Sequence, residues 1–181
     1  VLSDAENRIA VIKQGGYLDF IDPNITKAVA IERLGLDQSK KHVLFFGQIK
    51  QSKRLDVLIK AMAEVPDAVL IIAGKPWKAD FSQYQALIDE LGLSDRLVQM
   101  VRFVTDEERE LLMKAADVAV FPYEEIYQSA ALLMAMTYGL AAVTSDISAF
   151  KEVIADGENG RFFASGDPGS LVVRLVFFLS P

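Results

Sequence analysis

Short runs of residues, apolar at most positions, recur along this chain with segments of helical period between them. They are Ile9 to Ile12, Val43 to Phe46, Val69 to Ala73, Leu97 to Val101, Val118 to Phe121, Ala141 to Thr144 and Arg161 to Phe163. A strand with one wet face alternates in polarity, whereas a strand covered on both faces has no reason to. Runs of this kind separated by helices therefore predict an α/β domain of three layers, an open parallel sheet with helices on both faces.

The helical segments carry their own signals. Asp56 to Ala63 sets Val57, Leu58, Ala61 and Met62 on one stripe, and Phe81 to Leu91 does the same with Tyr84, Leu87, Ile88 and Leu91. Thr105 with Glu108 forms a capping box, with Asp106 and Glu107 in the first turn, and starts a helix that runs through Ala116. Ser129 to Tyr138 is apolar almost throughout and stops before Gly139, as a core helix does. Asp167 as N-cap and Pro168 at the first helical position begin a last helix through Leu179.

The 181 residues, 51% of them apolar, suit one domain, with residues 1–24 as an N-terminal arm or linker region. A net charge of −6 weighs against a nucleic-acid partner held by backbone neutralisation. The absence of cysteine excludes a disulfide scaffold, a thiolate nucleophile and a Cys-ligated metal, and suits a reducing cytoplasm. The most apolar stretch, Ala130 to Val143, is broken by Thr137 and Gly139 and falls short of the roughly 20 residues of a membrane span. Residues 1–15 lack the basic start and apolar block of a signal peptide, so the expected location is cytoplasmic.

In open α/β sheets ligands bind beyond the carboxyl ends of the strands, so residues just after each strand carry the most information. After Val43 to Phe46 comes Gly47-Gln48-Ile49-Lys50-Gln51-Ser52-Lys53-Arg54, and from Lys40 to Lys60 six cations face one acidic residue, Asp56. The run reads as an anion site or as a solvated basic face. After Val118 to Phe121, the segment Pro122 to Ala130 leads into the apolar helix, where the backbone N–H groups of Ser129 and Ala130 would meet an anion; Ser129 also suits a plain helix cap. Glu124 and Glu125 read as solvated charges rather than an acid–base pair, and His42, at the opposite end of its strand beside Lys41, reads as a surface residue. Trp77 reads as packed over a loop. The dinucleotide G-x-G-x-x-G and the phosphate-loop G-x-x-x-x-G-K-[ST] are both absent, which weighs against nicotinamide oxidoreductases and P-loop hydrolases. With no G-x-S-x-G elbow, no second histidine and no Asp-x-Asp pair, neither a serine hydrolase nor a metal site is expected.

Several segments together resemble the C-terminal, nucleotide-sugar-binding half of the group 1 retaining glycosyltransferases, which have the GT-B fold of two Rossmann-like domains. They are Val43-Leu44-Phe45-Phe46-Gly47 with Lys50 and Lys53, Leu70-Ile71-Ile72-Ala73-Gly74, Val101-Arg102-Phe103-Val104, Ala115-Ala116-Asp117-Val118 and Phe121-Pro122-Tyr123. The most specific are Ile126-Tyr127-Gln128-Ser129 with Ala135-Met136 and Gly139, and Glu152-Val153-Ile154 with Asp156-Gly157-Glu158-Asn159-Gly160. The resemblance implies that Lys50 and Lys53 contact the diphosphate of a UDP- or GDP-linked sugar and are the catalytic cations. It implies that Gly47 lets the backbone approach, and that Ser129 and Ala130 offer N–H groups. The Gly74 turn with the backbone at Phe103 and Val104 is expected to line the base pocket, and Tyr127 and Gln128 to lie near the sugar. No cofactor or metal is implied.

Where the family often carries two glutamates, this chain has Ile126 and Met134; Gln48 replaces a basic residue, Gln14 a histidine, and Ser148-Ala149 a pair of glycines. The expected function is the donor-binding half of an enzyme that moves a sugar to a glycan, lipid or other hydroxyl acceptor. An N-terminal acceptor domain would belong to the full protein, and a membrane-borne acceptor would place it at the inner membrane. The isolated chain is expected to bind nucleotide without transfer. The alternative is a non-catalytic module of the same fold.

Overall fold

The structure is a computed structural model that describes residues 15–17, 21–78 and 80–180. The expected strand Ile9 to Ile12 and Gln14 lie outside the described residues. The described elements run α1 (Lys27–Arg33), β1 (Lys41–Phe46), α2 (Leu55–Ala63), β2 (Ala68–Ala73), α3 (Ser82–Glu90), β3 (Leu97–Met100), α4 (Asp106–Ala115), β4 (Val118–Phe121), α5 (Ala130–Thr137), β5 (Ala141–Ser145), α6 (Ser148–Lys151), β6 (Arg161–Phe163) and α7 (Pro168–Leu179). One sheet in the order β3-β2-β1-β4-β5-β6 contains six strands, and every pairing is parallel. This is the Rossmann-like three-layer arrangement expected from the apolar runs. Val43, Leu44 and Phe45 are fully buried, as are Ile71 and Ile72 beside them. Helix α2 packs with α3 and α7, and α1 packs with α4.

Two local features position the loops that matter. Thr105 accepts from the Glu108 N–H and Glu108 answers to the Thr105 N–H, closing the capping box that starts α4. Helix α5 is apolar nearly all round, and Ser129 caps it by accepting from the Leu132 N–H at 3.2 Å. Leu132, Met134 and Ala135 anchor the helix in the core and so set its first turn at the end of the β4 loop.

His42 corrects the surface assignment: it is fully buried. Its backbone N–H donates to the Asp117 carboxylate at 2.9 Å, and Asp117 also pairs with Lys27 of α1, so β1, β4 and α1 close over the ring. Neither ring nitrogen has a hydrogen-bond partner among the described residues, and Nδ1 lies 3.9 Å from Asp117. Burial lowers the imidazole pKa, against the pull of Asp117. The unfolded chain takes up this proton near pH 6.5, while the folded chain resists it to a lower pH. Stability therefore falls as pH drops below that value, by at most about 1.4 kcal/mol per pH unit. Urea unfolding at pH 7 and pH 5.5 should show a larger loss in the native chain than in His42→Leu, by up to about 1 kcal/mol.

Candidate functional site

Strand order reverses between β1 and β4, and their pairing is brief. Only Val43 with Val118 and Leu44 with Ala119 are in register, against six paired positions between β1 and β2. Beyond Phe46 the chain stays with β2: the Gly47 N–H donates to Ala73 at 2.9 Å, the Ile49 N–H to Lys75 at 3.0 Å, and the Trp77 N–H to Ile49 at 3.0 Å. The β1 loop is thus drawn away from β4 and a crevice opens at the point where ligands settle in sheets of this order.

Gly47 turns with φ +115, and Gly74, at φ +148, lies so close behind it that a Cβ there would stand 1.9 Å from the Gly47 carbonyl oxygen. Two glycines stacked across the β1–β2 register let the turn sit where side chains could not.

The crevice is a cavity of about 340 Å³, lined by Phe46, Gly47, Gln48, Lys50, Lys53, Ile126, Gln128, Ser129, Ala130, Ala131 and Met134. Lysines from the β1 loop and the first turn of α5 therefore face one space. Within the described residues neither Lys50 nor Lys53 pairs with a carboxylate, and the N–H groups of Ser129, Ala130 and Ala131 have no hydrogen-bond partner. The Ser129 hydroxyl caps Leu132 while its own N–H stays free, so the capping and anion-facing readings are compatible. Lys53 Nζ stands over the Tyr123 ring at 4.7 Å, and Lys50 Nζ over Trp77 at 5.2 Å. Burial first, and then the neighbouring Lys50 charge, push the Lys53 ammonium down to about 8.

Three other cations of the basic run, Arg54, Lys41 and Lys60, do other work. Arg54 holds Asp56 through Nε at 3.0 Å and also faces Glu124 at 3.6 Å. Lys41 pairs with Asp117 at the far end of β1, and Lys60 reaches Asp56 along α2. Glu124 is exposed as expected, yet its N–H donates to Ser52 at 2.8 Å and its carboxylate meets Arg54. It ties the β4 loop to the β1 loop.

The family described as Glycosyl transferases group 1 matches residues 26–180. The chain belongs to the group 1 glycosyltransferases. It is 32% identical to a D-inositol 3-phosphate glycosyltransferase of Mycolicibacterium smegmatis, over 90% of this chain and 38% of that protein. Two solved structures share the fold. Anabaena HepE in complex with UDP-glucose has a TM-score of 0.84 at 20% identity, over 94% of this chain and 48% of its own. The C-terminal domain of a Francisella tularensis group 1 family glycosyl transferase, LpcC, has 0.78 at 20% identity, over 92% and 89%. The chain spans about two fifths of the length of the mycobacterial relatives it matches.

Within this group 1 glycosyltransferase chain, six of the expected site residues line the lysine cavity: Gly47, Lys50, Lys53, Gln128, Ser129 and Ala130. The other four do not. Gly74 is buried behind Gly47, Phe103 is exposed on the β3 loop with Val104 beside it, and Tyr127, 96% exposed, opens on a neighbouring cavity of about 320 Å³ with Gln128, Ser129 and Glu152. Sequence reasoning missed Tyr123 as a site residue. Its fully buried ring packs edge-on against Phe121 at 5.9 Å and lies 5.5 Å from Phe150, a firm bed beneath Lys53. Its place directly after the strand, in Phe121-Pro122-Tyr123, was the available signal. The cavities of about 420 and 450 Å³ include Ala141, the first residue of β5, and so reach the amino edge of the sheet, away from these groups.

Proposed function

We propose that the chain is the donor-binding half of a retaining glycosyltransferase, with the diphosphate of a nucleoside-diphosphate sugar held between Lys50, Lys53 and the free N–H groups at the start of α5. The observation that carries this is the opening of two carboxylate-free lysines and an unsatisfied helix N-terminus onto one cavity at the β1–β4 crevice. Neutral pairing would already have satisfied a structural cation; these two are left for an outside anion. The UDP-glucose bound to the structurally similar HepE supports a nucleotide-linked ligand of this kind.

As the anomeric bond breaks, negative charge collects on the departing diphosphate. Cations and N–H dipoles already aimed at it stabilise that charge without rearranging, and they do so more than they stabilise the intact donor. The protein's own lysines supply the counter-charge, with no cofactor or metal. Among the described residues that line the cavity none is a carboxylate or imidazole; the groups that hold an acceptor would come from the rest of the protein, and the chain by itself is expected to bind donor without transfer. In the full protein an acceptor domain would face this crevice. The alternative, a fold retained without its ligand, is favoured by Ile126 and Met134 in the cavity wall.

Calorimetric titration with UDP and GDP across pH separates the two. Lys53 is charged below about pH 8 and neutral above it, and a bound diphosphate restores its proton. Binding thus takes up a proton above pH 8, and affinity falls as pH rises, by about tenfold between pH 7.5 and 9.5. Lys53→Met should flatten this profile. Heatless titrations with both nucleotides would leave the non-catalytic module standing.

A further inference from the structure

Resting on that nucleotide reading, we propose that the cavity recognises its ligand through the diphosphate and leaves the ribose hydroxyls unread, so that a 2′-deoxynucleoside diphosphate binds as well as its ribo form. Lys50, Lys53 and the N–H groups of Ser129, Ala130 and Ala131 are all donors, and their natural guest is an anion. A ribose diol is distinguished from deoxyribose most strongly by a carboxylate, which accepts from hydroxyls and pays a charge-assisted bond for each. Among the described residues that line the cavity there is none.

What stands there is hydrocarbon. Ala130, Ala131 and Met134 share one stripe of α5, one helical turn from end to end, and Ile126 and Phe46 continue the wall. Met134 is buried, with 8% of its surface exposed. A pentose pressed against this wall packs by its carbon-bound face. The two neutral amides in the lining, Gln48 and Gln128, are both exposed, so a bond to a ribose hydroxyl only replaces one to water. Of the carboxylates on the adjoining loops, Glu124 and Asp56 both face Arg54, and Glu125 is exposed and does not line the cavity. Glu152 opens on the neighbouring cavity, across Gln128 and Ser129.

The test is calorimetric titration of the 181-residue chain at pH 7 with UDP and GDP, and then with the 2′-deoxy counterpart of whichever binds. The expected result is a difference of less than threefold between the ribo and deoxy forms. A loss of threefold or more on removing the 2′-hydroxyl overturns the proposal while the diphosphate site stands; if Glu152→Gln abolishes that loss, the nucleoside lies in the neighbouring cavity. Failure of both UDP and GDP to bind removes the nucleotide reading itself, and this inference with it.

Discussion

Lys53→Met should weaken nucleoside diphosphate binding by about 30-fold and at the same time raise the melting temperature by about 2 to 4 °C. The first effect follows from the loss of a charged donor to phosphate, worth about 2 kcal/mol. The second follows from where the ammonium sits. It lies over the Tyr123 ring, partly buried, beside a like charge and with no carboxylate partner among the described residues, and the protein holds its pKa down to about 8. A group displaced so far toward its neutral form is costly to keep charged at pH 7. Methionine keeps the stem packed on the ring, with a favourable sulfur–aromatic contact, and sheds the charge. A gain of about 1 kcal/mol corresponds to that shift in melting temperature for a domain of this size. Calorimetric titration and a thermal melt of the same variant check both signs. Stability lost along with affinity would make Lys53 a structural residue, not one held ready for a ligand.

Gly74→Ala should lower the melting temperature by about 10 °C, the consequence of a loss of about 3 kcal/mol or more. Its backbone lies at φ +148, and the added Cβ would meet the Gly47 carbonyl oxygen at 1.9 Å and its carbon at 2.6 Å. These are backbone atoms, so no rotamer relieves the clash. Either β2 or the Gly47 turn has to move, and because that turn forms one wall of the lysine cavity, affinity for diphosphate falls in the surviving folded fraction. Gly35→Ala is the matching control. Gly35 also has a left-handed backbone, at φ +65, but a Cβ there meets nothing within 4 Å. It should cost only about 1 kcal/mol and leave binding unchanged. Thermal melts of the two variants side by side separate backbone conformation from contact.

The central strands β1, β2, β4 and β5 were readable because a strand buried on both faces has to be apolar nearly throughout, whereas the edge strands β3 and β6 are only partly buried and were legible mainly from their place in the alternation with helices. Helix α1 was not readable: only Ala30 and Ile31 of its seven residues are buried, too few to set up a period. His42 looked like surface because Lys40 and Lys41 precede it at the start of the strand; Asp117 and α1, distant in sequence, lie over it. At the site, Lys50, Lys53 and Ser129 could be named because they follow strands, where α/β sheets expose functional groups. That Arg54 would turn to Asp56 and Glu124, that Gly74 would back Gly47, and that Tyr123 would lie under Lys53 depend on register between segments far apart in the chain. Local patterning carries no record of such register.

The tie between the two loops, Glu124 N–H to Ser52 and its carboxylate to Arg54, would make the proposed anion cradle self-contained. Both jaws belong to one folding unit, and their spacing needs nothing from any neighbouring module. On the proposed donor-binding reading, such a half could be joined to different acceptor-holding partners without retuning its grip on the leaving group.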